Sequence, residues 1–175
     1  GALLVDEDDV DALEVPDLPE SLDDAADGVG GRCVTYARAI ALAKEKITDR
    51  PVFAGVIGPF SLAGRLMDMT EIMVNCYAEP EMVEAAVEKC AAFITKYIKL
   101  MRSAGADGIV MAEPLAGLLD PAMLIAIPLL NNDFTTIRAL SSSPSLMLSE
   151  EFMISFAVIS DNADADSLYG SFLNL

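Results

Sequence analysis

The sequence predicts an α/β fold built on a parallel βαβ unit, and three observations predict it. Two short apolar runs, Pro51 to Ile57 and Gly108 to Ala112, flank a long stretch of mostly helical pattern. Both runs are apolar on both faces, as parallel strands covered by helices are. Each ends in a tight turn, Gly58-Pro59 and Glu113-Pro114. A parallel pair requires a crossover of this kind, and such crossovers are almost always right-handed. The loops leaving the carboxyl ends of parallel strands carry the chemistry, so Gly58-Pro59-Phe60-Ser61 and Glu113-Pro114-Leu115 are expected at one site.

Composition narrows the function classes. The 175 residues are 53% apolar, enough for one domain with a real core or for part of one. The formal charge of −17, from 28 acidic against 11 basic residues, repels a phosphate backbone. No nucleic-acid partner is expected, and anionic membrane surfaces are disfavoured for the same reason. No apolar run reaches the roughly 18 residues that span a bilayer. Gly1 to Val5 leads at once into an acidic cluster, unlike a signal peptide, so a cytoplasmic setting is expected. The chain has no histidine, which excludes a Ser-His-Asp or Cys-His mechanism built from this chain alone. Cys33, Cys76 and Cys90 have no metal-knuckle spacing and read as small buried residues on helices.

Taken in order, residues 1–31 read as an irregular acidic arm or linker, punctuated by Pro16 and Pro19 and closed by Gly28, Gly30 and Gly31. Asp6, Asp8, Asp9 and Asp11 lack the spacing of a calcium loop and read as a solvated charge run. A domain is expected over 32–175, with 125–175 unassigned. Arg32 to Ile47 is an amphipathic helix with Tyr36, Ile40, Ala43 and Ile47 on its apolar face. In the first strand, Gly55 marks a close approach of a neighbouring element or ligand. Ser61 is a candidate N-cap for a helix through Leu62, Leu66 and Met69, which resumes after a break from Glu71 to Tyr77. Its N-terminus is a candidate receptor for an anion.

Pro80 opens the next helix, with Glu81 early, Lys96, Lys99 and Arg102 late, and Gly105 as the cap. Val83, Val87, Cys90, Ile94, Tyr97 and Met101 form its buried stripe. The second strand delivers Glu113 to the carboxyl edge as a ligand for substrate or metal, a general acid or base, or an acceptor for backbone N–H groups. Asp120-Pro121 reads as a further helix start, Ile125 to Leu130 as an apolar run and Ser141 to Ser145 as a turn. Leu146 to Ser160 has room for a helix turn and a strand, and Asp161 to Asp166 is an acidic exit.

The runs GVIGPFSLAGRLMDM and YAEPEMVEAAVEKCAAFITKYIKLMRSAGADGIVMAEPLAGLLDPAM resemble the uroporphyrinogen decarboxylase superfamily. Gly55, Gly58, Pro59, Phe60 and Ser61, with Ala112-Glu113-Pro114, are similar to its methylcobalamin:coenzyme M methyltransferase branch. The resemblance covers about residues 9–123. It implies a TIM-type (β/α)8 barrel, which takes about 250 residues and is therefore represented here incompletely. It implies methyl transfer from a corrinoid, on a corrinoid protein or as free methylcobalamin, to a small thiol such as coenzyme M. In that branch a zinc held by a His-x-Cys pair and a later cysteine activates the thiolate that attacks the methyl group. No metal ligand is identifiable in this chain, so those ligands are expected in segments it does not contain. Glu113 is the expected catalytic residue; Gly58, Pro59, Phe60, Ser61 and Arg65 are the expected substrate-binding residues, and a homo-oligomer is compatible with the family. The alternatives are a uroporphyrinogen decarboxylase-type lyase, for which Arg65 is the one nearby candidate to bind propionates, and a non-catalytic barrel-derived binding protein.

Overall fold

The computed structural model describes residues 2–25, 29–119, 137–139 and 157–159. Its elements are α1 (Glu7–Ala12), α2 (Gly31–Lys46), β1 (Phe53–Ile57), α3 (Pro59–Met67), α4 (Met69–Ala78), α5 (Pro80–Ser103) and β2 (Gly108–Ala112). A 3-10 turn (Ala116–Leu118) and two three-residue strands, β3 (Ile137–Ala139) and β4 (Ala157–Ile159), follow. The βαβ expectation holds: β1 and β2 pair in parallel, from Phe53 opposite Gly108 to Ile57 opposite Ala112.

The sheet order is β1-β2-β4-β3, and β4 runs antiparallel to both of its neighbours. This differs from the all-parallel sheet of a barrel. Antiparallel neighbours need no helical crossover, so short strands can join a sheet edge this way. The expected helix start at Asp120-Pro121, the Ile125 to Leu130 run, the Ser141 to Ser145 turn and the Asp161 to Asp166 exit lie outside the described residues. Of the Leu146 to Ser160 segment, β4 alone is described.

Helix α5 is the spine of the described unit. Pro80 occupies its first turn, where a missing N–H costs nothing, and Gly105 follows its end at φ 96°, a conformation that favours glycine. At 24 residues it is about 36 Å long, enough to serve two apolar clusters. Met82, Val83, Ala86, Val87 and Cys90 pack with Phe60, Met67, Ile72, Leu115 and Val10. Ile94, Ile98, Leu100 and Met101 pack with Ala54 and Val56 of β1, Ile109 and Met111 of β2, and Val34 and Ala37 of α2. Each of the larger side chains contributes about 1.5–3 kcal/mol by leaving water.

Alternation sorts the strand residues. Ala54, Val56, Ile109 and Met111 face the helices. Gly55, on the opposite face, is exposed, and a Cβ built there meets nothing within 4 Å among the described residues. The close approach expected at Gly55 is therefore absent from the described unit.

Three local expectations change. The apolar face of α2 is rotated: Val34 and Ala37 are buried, whereas Tyr36 is 57% exposed. Packing against α5 selects the small residues, because a tyrosine there would hold the two helices apart. The acidic arm is partly helical. Asp6 caps α1 by accepting from the Asp9 amide, and the Asp9 carboxylate accepts from Val5 N–H. Val10 and Leu4 enter the core, and Lys89 of α5 donates to the Val10 and Asp11 carbonyls at the end of α1. Finally, α3 starts at Pro59, two residues before Ser61, with Gly58 in extended conformation as its N-cap.

Candidate functional site

The ends of β1 and β2 meet as their parallel register requires. Gly58 N–H donates to the Ala112 carbonyl at 2.7 Å, which continues the ladder one step past the strands and turns α3 across the end of β2. Glu113 has the same strand parity as Met111 and so projects toward the helices. Its carboxylate accepts from Phe60 N–H at 3.0 Å and from Ser61 N–H at 2.7 Å. The Ser61 hydroxyl also donates to it and in turn accepts from Leu115 N–H at 3.2 Å. Gly58 cannot cap α3 with a side chain, and a carboxylate from the neighbouring strand does so instead.

Glu113 is only 4% exposed and Ser61 only 1%. Burial pushes the Glu113 carboxyl above its ordinary value, while the Ser61, Phe60 and Ala116 donors pull it part of the way back. An anion at this helix N-terminus is thus supplied by the chain itself. The expectation that α3 receives a substrate anion at its first amides meets a site already filled by Glu113.

The structure brings together Glu113, Gly58, Phe60 and Ser61, with Pro59 buried beside them. Arg65 lies one turn further along α3, is exposed, and is not among the groups that contact Glu113. Two of the three cysteines follow the expectation of burial. Cys76 and Cys90 are buried on α4 and α5, and Cys33 is half-buried on α2. Burial pushes all three thiols up, and Cys90, which also feels the Glu113 charge, reaches about 12. Among the described residues no three His, Cys, Asp or Glu side chains converge to hold a metal. No helix of the described residues is long and apolar enough to cross a membrane.

Sequence reading missed Asp107, which enters β2. Its carboxylate accepts from Lys44 of α2 at 2.5 Å and from Val52 N–H at 2.7 Å, tying the end of α2 to the start of both strands. The partners are 63 and 55 residues away, beyond any local pattern.

This arrangement sits in a chain whose residues 2–148 match the family described as uroporphyrinogen decarboxylase (URO-D). The chain belongs to that family. Among curated relatives, the methylcobamide:CoM methyltransferase MtbA of Methanosarcina mazei is 34% identical over 87 residues, 49% of this chain and 25% of that protein. MtaA of Methanosarcina barkeri, with the same enzyme name, is 30% identical over 103 residues, 56% of this chain and 30% of its own length. A solved methyltransferase from Methanosarcina mazei superposes with a TM-score of 0.52 at 27% identity, over 63% of this chain and 35% of that one. The chain spans about a quarter to a third of the relatives it matches.

Proposed function

We propose that this chain represents, incompletely, a TIM-type (β/α)8 barrel enzyme that moves a methyl group from a corrinoid carrier to a small thiol such as coenzyme M. The observation that carries the reading is the union of the Gly58 to Ser61 turn with Glu113 at the carboxyl ends of two parallel strands. The methyltransferase names borne by the relatives supply the chemistry.

The resemblance implies zinc, and the described residues do not fit that ion. The chain has no histidine, its cysteines lie on three separate helices with thiols pushed up by burial, and no ligand cluster forms among the described residues.

The residues present position rather than react. Glu113 holds the first turn of α3 against the end of β2, and Ser61 ties that turn to Leu115. Together they set the spacing of two loops at the strand ends, where substrate meets a barrel of this kind. In this reading the role expected of Glu113 is exercised through the loops it holds, and the buried Gly58 to Ser61 turn is the part of the first loop that it fixes.

The test is thiol-dependent loss of the methylcobalamin absorbance spectrum by the native protein, with intact mass and zinc content measured on the same sample. Methyl transfer by a protein well above 18.6 kDa carrying stoichiometric zinc is expected. A protein of 18.6 kDa without zinc that transfers no methyl group overturns the reading.

A further inference from the structure

We infer that Glu113 and Ser61 form a proton-dependent latch, in which the charge on one buried carboxyl sets the hydrogen-bond direction between the two strand-end loops. Glu113 is buried, and every recorded partner of its carboxylate is a donor: Phe60 N–H, Ser61 N–H, Ala116 N–H and the Ser61 hydroxyl. A carboxylate satisfies four donors; a carboxylic acid brings a proton of its own, which needs an acceptor.

The Ser61 oxygen is the one partner able to reverse. It already accepts from Leu115 N–H and has a second lone pair. On protonation the Glu113 O–H donates to Ser61 Oγ, and the Ser61 hydroxyl hydrogen turns away from the carboxyl. The proton comes from solvent and no covalent bond between residues changes. The Phe60, Ser61 and Leu115 amides all sense the change, because each bonds one of these two side chains.

Among the described residues, the surroundings leave Glu113 as the group that titrates. β1, β2 and residues 114–119 carry no ionisable side chain. On α3 the one charge is Arg65, which is exposed. On α5 the Cys90 thiol faces Glu113 and stays protonated to about pH 12. The lysines of that helix at 89 and 96 are engaged with the N-terminal segment, and its glutamates Glu81, Glu84 and Glu88 are exposed. Among the described residues, no cation is among the groups that act on the Glu113 carboxyl.

The test follows the Glu113 side-chain carboxyl by carbon NMR, and the Phe60, Ser61 and Leu115 amides by nitrogen NMR, through an acid titration of the protein. A Glu113 midpoint above that of the exposed glutamates, shared by all three amides, is expected. In Glu113→Gln, whose amide donates as the neutral acid does, the same amides are expected near their acid-form positions at neutral pH. A Glu113 midpoint at or below the exposed glutamates, or three amides that do not move with it, overturns the latch. The wild-type titration decides even where the variant does not fold.

Discussion

The Glu113 carboxylate fills the space that a side chain at position 58 requires. A Cβ built on Gly58 overlaps the carboxyl oxygen and lies 2.9 Å from the Glu113 Cβ. The absence of a side chain on one strand end thus makes room for a buried acid on the next. Gly58 is extended, at φ −76°, so the demand for glycine is one of space and not of backbone conformation.

Gly58→Ala should therefore disrupt the cap of α3. The loss combines overpacking with the unpairing of two buried amides, together about 2–4 kcal/mol. Urea denaturation measures it; a variant as stable as wild type would show that the Glu113 position is not required.

Ser61→Ala removes the hydroxyl donor to Glu113 and leaves the Leu115 amide without its recorded acceptor. A loss of about 1–3 kcal/mol is expected, the scale for an unmet buried polar group. Hydrogen exchange at Leu115 should rise well beyond the change at Gly105, which is remote from the site.

Asp107 governs acid stability in the opposite direction from Glu113. Burial pushes its carboxyl up, but the Lys44 ammonium and the Val52 N–H outweigh that and hold it below the ordinary value of 3.8. The stabilisation is thus complete above 3.8 and lost as pH falls through the lower folded value. Asp107→Asn should cost about 1 kcal/mol at neutral pH, given the partly exposed partner, and the gap to wild type should close under acid. Thermal melts across pH give the comparison.

Lys89→Met should release α1 while leaving the rest of the core in place. The ammonium donates to both Val10 and Asp11 carbonyls at 2.8 Å. Limited proteolysis is expected to cut within residues 5–20 faster than in wild type, with cleavage elsewhere unchanged.

Native alkylation should rank the cysteines by exposure and thiolate content. Cys33 is half-buried, whereas Cys76 and Cys90 are buried and Cys90 is pushed up to about 12. Mass spectrometry after brief iodoacetamide treatment should find Cys33 modified first and Cys90 last.

Much of the fold was legible because its signals are local. Apolar runs with terminal turns mark β1 and β2, and Pro80, Gly105 and a stripe from Val83 to Met101 mark α5. That the helix breaks between α3 and α4 was legible too, but not where: the structure centres the break on Asp68, which has φ 79° and caps α4 through Thr70 N–H, and so puts Met69 in α4 and not in the first helix. The rotation of α2 was not legible, since Tyr36 and Ala37 both suit a helical stripe and only contact with α5 excludes the larger one. Nor was the helix in the acidic arm, where the charge density masks Val10 and Leu4.

The candidate site divides in the same way. By itself the sequence determined the parallel pair, the strand ends that carry the loops and the acidic residue at position 113, because hydrophobic period and turn chemistry act within a few residues. The tertiary structure alone decided what that acid touches. The amides of Phe60 and Ser61 are 53 and 52 residues from Glu113, and they reach it because the register of β1 on β2 sets Ile57 beside Ala112. The Lys44 to Asp107 pair depends on the same register. Hydrogen bonds are specific in distance and direction, and across such separations only a packed core supplies both.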